Sequence, residues 1–331
     1  MPAHQLSPSR LTVALKGEAR RLGFDLVGVT PAVAPPGAQQ FAQWLADGFA
    51  GQLHYLADRA EAYQHPRYVL DGARSIVMLA VNYRTAEPAP AGPGQGRVSR
   101  YAWGLDYHDV VHRRLRKLAG FHRRLVPQGR ARGVVDTAPL LEREFGRLAG
   151  LGWIGRNTLL LNEKFGSWFF LAALLSSEKL EYDQPRDENH CGSCRACLDA
   201  CPTGALVAPY RLDARKCISY LTIELRGPIP VELRGPMGDR LFGCDACQEV
   251  CPWNRRTPAT DEAAFAPRPG MNPVDLAELV TLDEAPMRAR FRHTPLRRAK
   301  RQGILRSAAI ALDNRASPSR PACTSQPERV D

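Results

Sequence analysis

"HCGSCRACLDACPTGAL", residues 190–206, sets four cysteines within eleven positions. They are Cys191, Cys194, Cys197 and Cys201, in the pattern CxxCxxCxxxC, with Pro202 next. Cys244, Cys247 and Cys251 form CxxCxxxC before Pro252, and Cys217 lies between the two runs. The ninth cysteine, Cys323, stands alone in a polar tail, and nothing is assigned to it. A disulfide scaffold belongs to a small secreted chain, whereas clustered CxxC spacings in a chain of 331 residues point to metal.

The first run has the spacing of bacterial ferredoxins, whose fourth cysteine ligates the other cluster. Three thiolates at two-residue gaps reach three iron corners of one cube, and the fourth leaves on the far side, where proline redirects the chain. By that analogy Cys191, Cys194, Cys197 and Cys251 hold one 4Fe–4S cluster, and Cys201, Cys217, Cys244 and Cys247 hold a second. The alternative is two four-cysteine zinc sites. Three cysteines at two-residue gaps suit one tetrahedral ion poorly. CxxCH is absent, which argues against covalent haem.

Hydrophobic content of 44% and charged content of 24% are those of a globular protein. No apolar run reaches the length of a membrane span. The first residues, "MPAHQLSPSRLTVALKGEARR", lack a signal-peptide pattern, so the expectation is a cytoplasmic protein without a membrane partner. The net charge of +11 favours a polyanionic partner, nucleic acid first. Free use of arginine by a GC-rich genome explains the charge equally well.

Along the chain, helix and strand alternate. "RLTVALKGEARRLG" and "AQQFAQWLADGF" have helical spacing, and "FDLVGVT" reads as a strand. "SIVMLAVNY" (75–83) and "SWFFLAALL" (167–175) read as buried strands, with a loop at 86–96. Asp106 opens a basic helix, "GVVDT" is a short strand, and Pro139 starts the helix "PLLEREFGRLA". The expected organisation is an α/β domain over 1–184, a ferredoxin-like domain over 185–256, a basic helical region over 257–314 and a disordered tail over 315–331. "ELRGP" occurs twice, at 224–228 and 232–236. The cysteines imply a path for single electrons, either in a ferredoxin-like carrier or in a reductase with its own relay.

The blocks around the cysteines decide between these. "RYAWGLDYHDVVHRRL" (100–115), "VDTAPLLEREFGRLAGLGWIGRNTLLLNEKFGSWFFLAALL" (135–175), "LDARKCISYLTIE" (212–224) and "GCDACQEVCPWN" (243–254) closely resemble the epoxyqueuosine reductase family, over about residues 8–314. The resemblance implies a reductive-dehalogenase-like cobalamin-binding α/β domain, two 4Fe–4S clusters and a short C-terminal HEAT-like region. It implies reduction of an epoxide to an alkene on the modified wobble base of a tRNA. An external single-electron donor of flavodoxin or ferredoxin type is implied, as is a monomer. The clusters would feed single electrons to the cobalamin, which reduces the epoxide carbon. Asp136 matches the family's general acid; read from the residues alone, it is an N-cap before the Pro139 helix. In the family reading Thr137 takes the capping role. Cobalamin contacts are implied at Arg59, Arg100, Asp136, Ser219, Cys244 and Asp245. Gly152 and Gly155 would let the backbone approach the corrin, and Trp153 is either beside it or plain core. "DYHDVV" departs from the DxHxxG cobalamin signature, because Val111 stands at the glycine.

Residues 288–306 hold eight Arg or Lys and no acid, as do residues 113–132. Unmixed runs of this kind favour phosphate contacts. Arg297, Arg298, Lys300, Arg301 and Arg306 are the expected tRNA-backbone contacts, with Arg226 near the anticodon. The remaining alternatives are an electron carrier, a dehalogenase-like enzyme acting on a small molecule, and a zinc-stabilised nucleic-acid binder.

Overall fold

The computed structural model describes residues 6–186 and 188–316. The tail expected from 315 lies outside them, apart from Arg315 and Ala316, which end a helix; Cys323 is also outside.

The strands are β1 (Leu26–Pro31), β2 (Ser75–Asn82), β3 (Gln95–Val98), β4 (Ala131–Val134), β5 (Trp153–Ile154), β6 (Leu160–Leu161), β7 (Phe169–Ser176), β8 (Leu206–Ala208), β9 (Arg211–Leu212), β10 (Arg240–Phe242) and β11 (Val274–Asp275). The main sheet has the order β1-β2-β7-β4. Every pairing in it is antiparallel. The helix–strand alternation behind the α/β expectation does yield one crossover. The Tyr107–Leu125 helix carries the chain from β2 to β4, which run the same way. β7 then inserts between them and pairs antiparallel with both, splitting the unit.

β2 is buried at all eight positions because both faces of the sheet are covered. Val77, Leu79 and Val81 pack with the Pro8–Arg21 and Tyr107–Leu125 helices through Leu11, Leu15, Leu115 and Leu118. Ile76, Met78 and Ala80 face the opposite core with Phe145 of the Glu142–Leu148 helix. That helix begins at Glu142, not at Pro139. Leu141 occupies its N-cap without a side-chain bond, so neither Asp136 nor Thr137 caps it. Residues 135–141 instead form a loop tightened by contacts two residues apart: Thr137 N to Val135 O (2.6 Å), Leu140 N to Ala138 O (2.8 Å) and Glu142 N to Leu140 O (2.9 Å).

The sequence divisions at 184 and 256 are not packing divisions. β3 joins β10 and β11 in a three-stranded sheet, uniting segments from three parts of the chain. Its core runs from Val98 and Trp103 through Leu241 and Phe242 to Ile304 and Ala311. Another core sets Ile218 and Leu221 against Ile310, with Trp44 and Leu53 alongside. The cysteine-bearing segment is thereby clamped between the N-terminal and C-terminal thirds. No helix among the described residues is long and apolar enough to cross a membrane.

Leu79 has no exposed surface. Leu79→Ala is expected to cost about 3 kcal/mol, as a transfer term plus an unfilled cavity. The measurement is a lowered urea midpoint at unchanged m value.

Candidate active site and cysteine clusters

The thiols fall into two groups. Cys191, Cys194, Cys197 and Cys251 line one cavity of about 270 Å³. Trp153 and Trp253 pack beside it, with ring centroids 5.0 Å apart. Burial pushes the Cys197 thiol up to about 11, and the next largest influences are Cys251, Cys191 and Cys194. The second group shows the same mutual influence. Burial, then Cys244 and Cys217, and more weakly Cys201, hold Cys247 well above the usual thiol range. Cys217 is raised by burial, with Cys201 adding to it. Four thiolates in such a place repel one another and lack solvation, and a cationic iron–sulfur core offsets both costs. The donor sets fit clusters.

Asp136 leaves the end of β4 at φ +59°, in the left-handed region. That turn lifts its carboxylate off the sheet toward the start of the Tyr107–Leu125 helix. Tyr107 donates its hydroxyl to Asp136 Oδ2 at 2.5 Å. His108 Nε2 lies 3.3 Å from the same oxygen, and His108 Nδ1 lies 2.8 Å from Asp106 Oδ1. The Asp136 N–H is held by Glu142 Oε1 at 2.8 Å. Asp136 keeps 59% of its side-chain surface, yet loss of water is the largest single influence on its pKa. A crowded group that stays open describes the floor of a concave site. Desolvation raises the Asp136 carboxyl, but the bonds from His108 and Tyr107 outweigh it and hold it below the usual range. Burial would lower His108, but its two carboxylate partners raise it to about 9. Burial and the neighbouring Asp136 charge push Glu142 up to about 8. At neutral pH the protons therefore sit on His108 and Glu142, and Asp136 is the anion between them.

The rest of the wall is aromatic. Tyr101 stands 6.3 Å from Tyr107, and Tyr107 stacks on Phe170 at 4.2 Å. Burial, then Asp245 and Asp136, hold Tyr101 well above the usual phenol range. Burial, then Glu224, raises the Tyr55 phenol, with Arg298 opposing and Asp136 adding to it. Sequence reasoning misses Tyr107, His108 and Glu142 as site residues. The signal is present in "DYHDVV", whose nearness to a cobalamin signature masks a helix start aimed at Asp136.

The other expected contacts divide. Arg59 reaches the acid's loop, donating to Thr137 O at 3.1 Å. Ser219 lies in the first turn of the Ile218–Ile223 helix, two residues after Cys217. Asp245, beside Cys244, is buried and accepts the Arg100 N–H at 2.8 Å. Arg100 does not present its charge to the crevice. Its guanidinium is buried, donates to Ala86 O and Glu87 Oε2, and lies over the Trp168 ring. Gly152 and Gly155 do not serve an incoming group either. A Cβ at Gly152 would sit 1.8 Å from Leu161 O, and one at Gly155 would sit 2.6 Å from Leu161 Cδ1. The β5–β6 hairpin itself requires both glycines. Trp153 is core, beside the first cysteine group.

The C-terminal arginines are largely committed. Arg298 grips Glu224 with two nitrogens at 3.0 Å, although its charge also influences Asp136. Arg226 donates to Ile223 O and Arg298 O. Arg306 donates to Leu221 O, Leu225 O and Gly227 O, and Arg301 to Leu282 O. Arg297 and Lys300 are exposed.

Residues 64–137 match the family described as "Epoxyqueuosine reductase QueG, DUF1730", and residues 190–254 match the "4Fe-4S double cluster binding domain". The epoxyqueuosine reductase of Pseudomonas aeruginosa is 43% identical over 314 residues, covering 94% of this chain and 87% of that protein. That of Escherichia coli is 40% identical, covering 93% and 82%. Among solved structures, an epoxyqueuosine reductase with an epoxyqueuosine-modified tRNA-Tyr stem loop aligns at a TM-score of 0.87 and 32% identity, over 93% of this chain and 82% of that one. The Bacillus subtilis enzyme aligns at 0.84 and 30%, over 92% and 82%, in a form whose catalytic aspartate loop is swung out of the active site. With this likeness running nearly end to end, the chain belongs to the epoxyqueuosine reductase family.

Proposed function

We propose that this protein reduces epoxyqueuosine to queuosine at the wobble position of a tRNA anticodon, with Asp136 as the acid that meets the epoxide oxygen. The observation that carries this reading is Asp136 itself, open at the crevice floor and hydrogen-bonded to two proton-bearing side chains. The reaction consumes two electrons and two protons and releases water. When bound, two 4Fe–4S clusters supply single electrons and cobalamin supplies the reducing centre. The two cysteine sets fit the clusters, with four thiols for each. The residues around Asp136 would suit the cobalamin: the exposed carboxylate is bordered by the Tyr101, Tyr107 and Phe170 rings, and both ring nitrogens of His108 are engaged by carboxylates. Arg59, Ser219 and the Cys244–Asp245 segment are the residues assigned to hold it. A single-electron donor protein outside this chain, monomeric action and cytoplasmic location belong to the same reading, as does an abbreviated HEAT-like character for the C-terminal helices.

The protons move through side chains already in contact. A substrate seated over Asp136 removes its remaining water, and desolvation raises a carboxyl group. The Asp136 pKa then climbs toward that of His108. A proton passes from His108 Nε2 to Oδ2 and on to the opening epoxide's oxygen. Tyr107 holds that oxygen in place, and His108 then recharges from solvent to supply the second proton.

Asp136→Ala should lower loss of one oxygen atom from the modified base by at least a hundredfold, while cluster absorbance and RNA affinity stay at parental levels. Mass spectrometry of digested tRNA reads the first and filter binding the last. His108 and Glu142 act in their protonated forms, so the single-turnover rate should hold near neutrality. It should fall as pH rises through about 8 to 9. His108→Gln should slow turnover roughly tenfold and remove the limb near 9; an unchanged limb in that variant would assign the titration elsewhere. Glu142→Leu deprives the Asp136 N–H of its acceptor and should speed hydrogen exchange across 135–141 while lowering turnover. Glu142→Gln keeps an acceptor oxygen and should preserve the loop.

A further inference from the structure

The Tyr107–Leu125 helix carries a second cavity that the chemistry above does not use. It is about 570 Å³ and lies between that helix and β4. Among the described residues β4 is an edge strand, paired only with β7, and its Gly133 lets the helix approach: a Cβ there would sit 2.8 Å from Leu115 Cβ. Leu115, Ala119 and Gly133 make an apolar floor. His112, Arg113, Arg116 and His293 make the rim, with Asp109 the only acid in the lining. The rim begins next to the acid site. His112 follows His108 by one helical turn, a rise of about 5.4 Å, and the two rings are 6.5 Å apart. His293 belongs to the same junction, because its carbonyl accepts the Asp106 N–H at 2.7 Å.

The charges in this cavity are uncommitted, which sets them apart from Arg298, Arg301 and Arg306 of the C-terminal segment. Arg114, between them in sequence, turns inward to Gly23 O and Glu262. Arg113 and Arg116 are exposed, and among the described residues neither has a carboxylate or carbonyl partner. His112 is held below its usual value by burial, then by His108 and Arg116, so it meets a ligand as a neutral donor or acceptor. An apolar floor under a cationic rim, one step from the wobble-base site, suits a nucleotide: the floor takes sugar or base, and the rim takes phosphate.

We propose that this cavity binds the sugar–phosphate of the RNA strand immediately flanking the modified nucleotide, with Arg113 and Arg116 as its phosphate contacts. The proposal rests on the tRNA reading above and moves the main backbone grip from the C-terminal arginines to this helix.

The test uses full-length, cluster-loaded protein and an anticodon stem-loop RNA without the modification, so that binding is read apart from turnover. Arg113→Glu/Arg116→Glu should weaken binding at least tenfold at 0.1 M salt. It should also reduce the slope of log affinity against log salt by about 1.5, as expected for two lost phosphate contacts. Arg10→Glu/Arg20→Glu makes the same formal charge change on exposed positions of the Pro8–Arg21 helix and should leave the slope in place. Arg113→Gln/Arg116→Gln should show the slope change without charge reversal, and unchanged iron content and melting temperature exclude misfolding. With modified stem-loop, KM should rise and kcat should hold. Equal effects from the two double-glutamate variants would overturn the proposal, leaving only a general field. Binding that follows the prediction in a protein without turnover would sustain the pocket and sink the reductase reading; a parent protein that binds no stem-loop would sink both.

Discussion

The carboxylate of Asp106 does two things at once, and the working half of the molecule is arranged around them. It accepts the backbone N–H of His108 at 3.1 Å, which starts the Tyr107–Leu125 helix. It also accepts the ring N–H of His108 at Nδ1, which turns Nε2 toward Asp136. Helix start and acid–base geometry are therefore one constraint. From that fixed start, helical periodicity brings Val110, Val111, Leu115 and Leu118 onto the sheet, and it carries His112 and Arg116 along the open side. The same capping contact also raises the proton affinity of the imidazole. A neutral histidine here would leave the Asp136 anion with Tyr107 alone.

The arginines show why net charge alone says little about a binding face. Of the basic residues in 288–306, Arg298 and Arg306 commit their donors to Glu224 and to three backbone carbonyls. A guanidinium has five donors in a fixed fork, and a C-terminal helix packed across short loops offers many carbonyls to satisfy. Arg306 in particular fastens residues 221–227 to the last helix and so steadies the segment behind Cys217. A run of like charge can thus be structural mortar. The helix at 107–125 differs because its carbonyls are already used within the helix and its outward Arg113 and Arg116 find no carboxylate or carbonyl among the described residues.

The cysteine runs were legible as a double-cluster motif because spacing within a run is a local property: two-residue gaps and a following proline mark each one. The buried strands were legible for the same reason, since "SIVMLAVN" and "FFLAALLS" are apolar at nearly every step. Pairing direction was not, because the insertion of β7 between β2 and β4 depends on contacts across the whole domain. The early start expected for the Glu142–Leu148 helix overweights proline as a helix opener, where the loop's short-range bonds and the pull of Glu142 on Asp136 N–H prevail. "ELRGP" makes the same point within one chain: its second copy lies in the helix Val231–Met237, and its first copy follows the end of Ile218–Ile223 as irregular backbone. Gly152 and Gly155 do mark a close approach, but the neighbour is the hairpin's own Leu161.

In the proposed reaction the two supplies of a reduction, electrons and protons, come from different residues. Cys244 and Cys247 flank Asp245, whereas the proton-bearing His108 and Glu142 both contact Asp136. Protons that could reach the electron-rich side directly would be consumed without substrate. Tyr101 and Tyr107, held far above the usual phenol range, keep their protons at neutral pH. In the proposed reaction Asp136, anionic until covered, becomes an acid only when something large and poorly solvated sits on it. On that argument proton delivery waits for the substrate, because the group that delivers must first be desolvated by the molecule that receives.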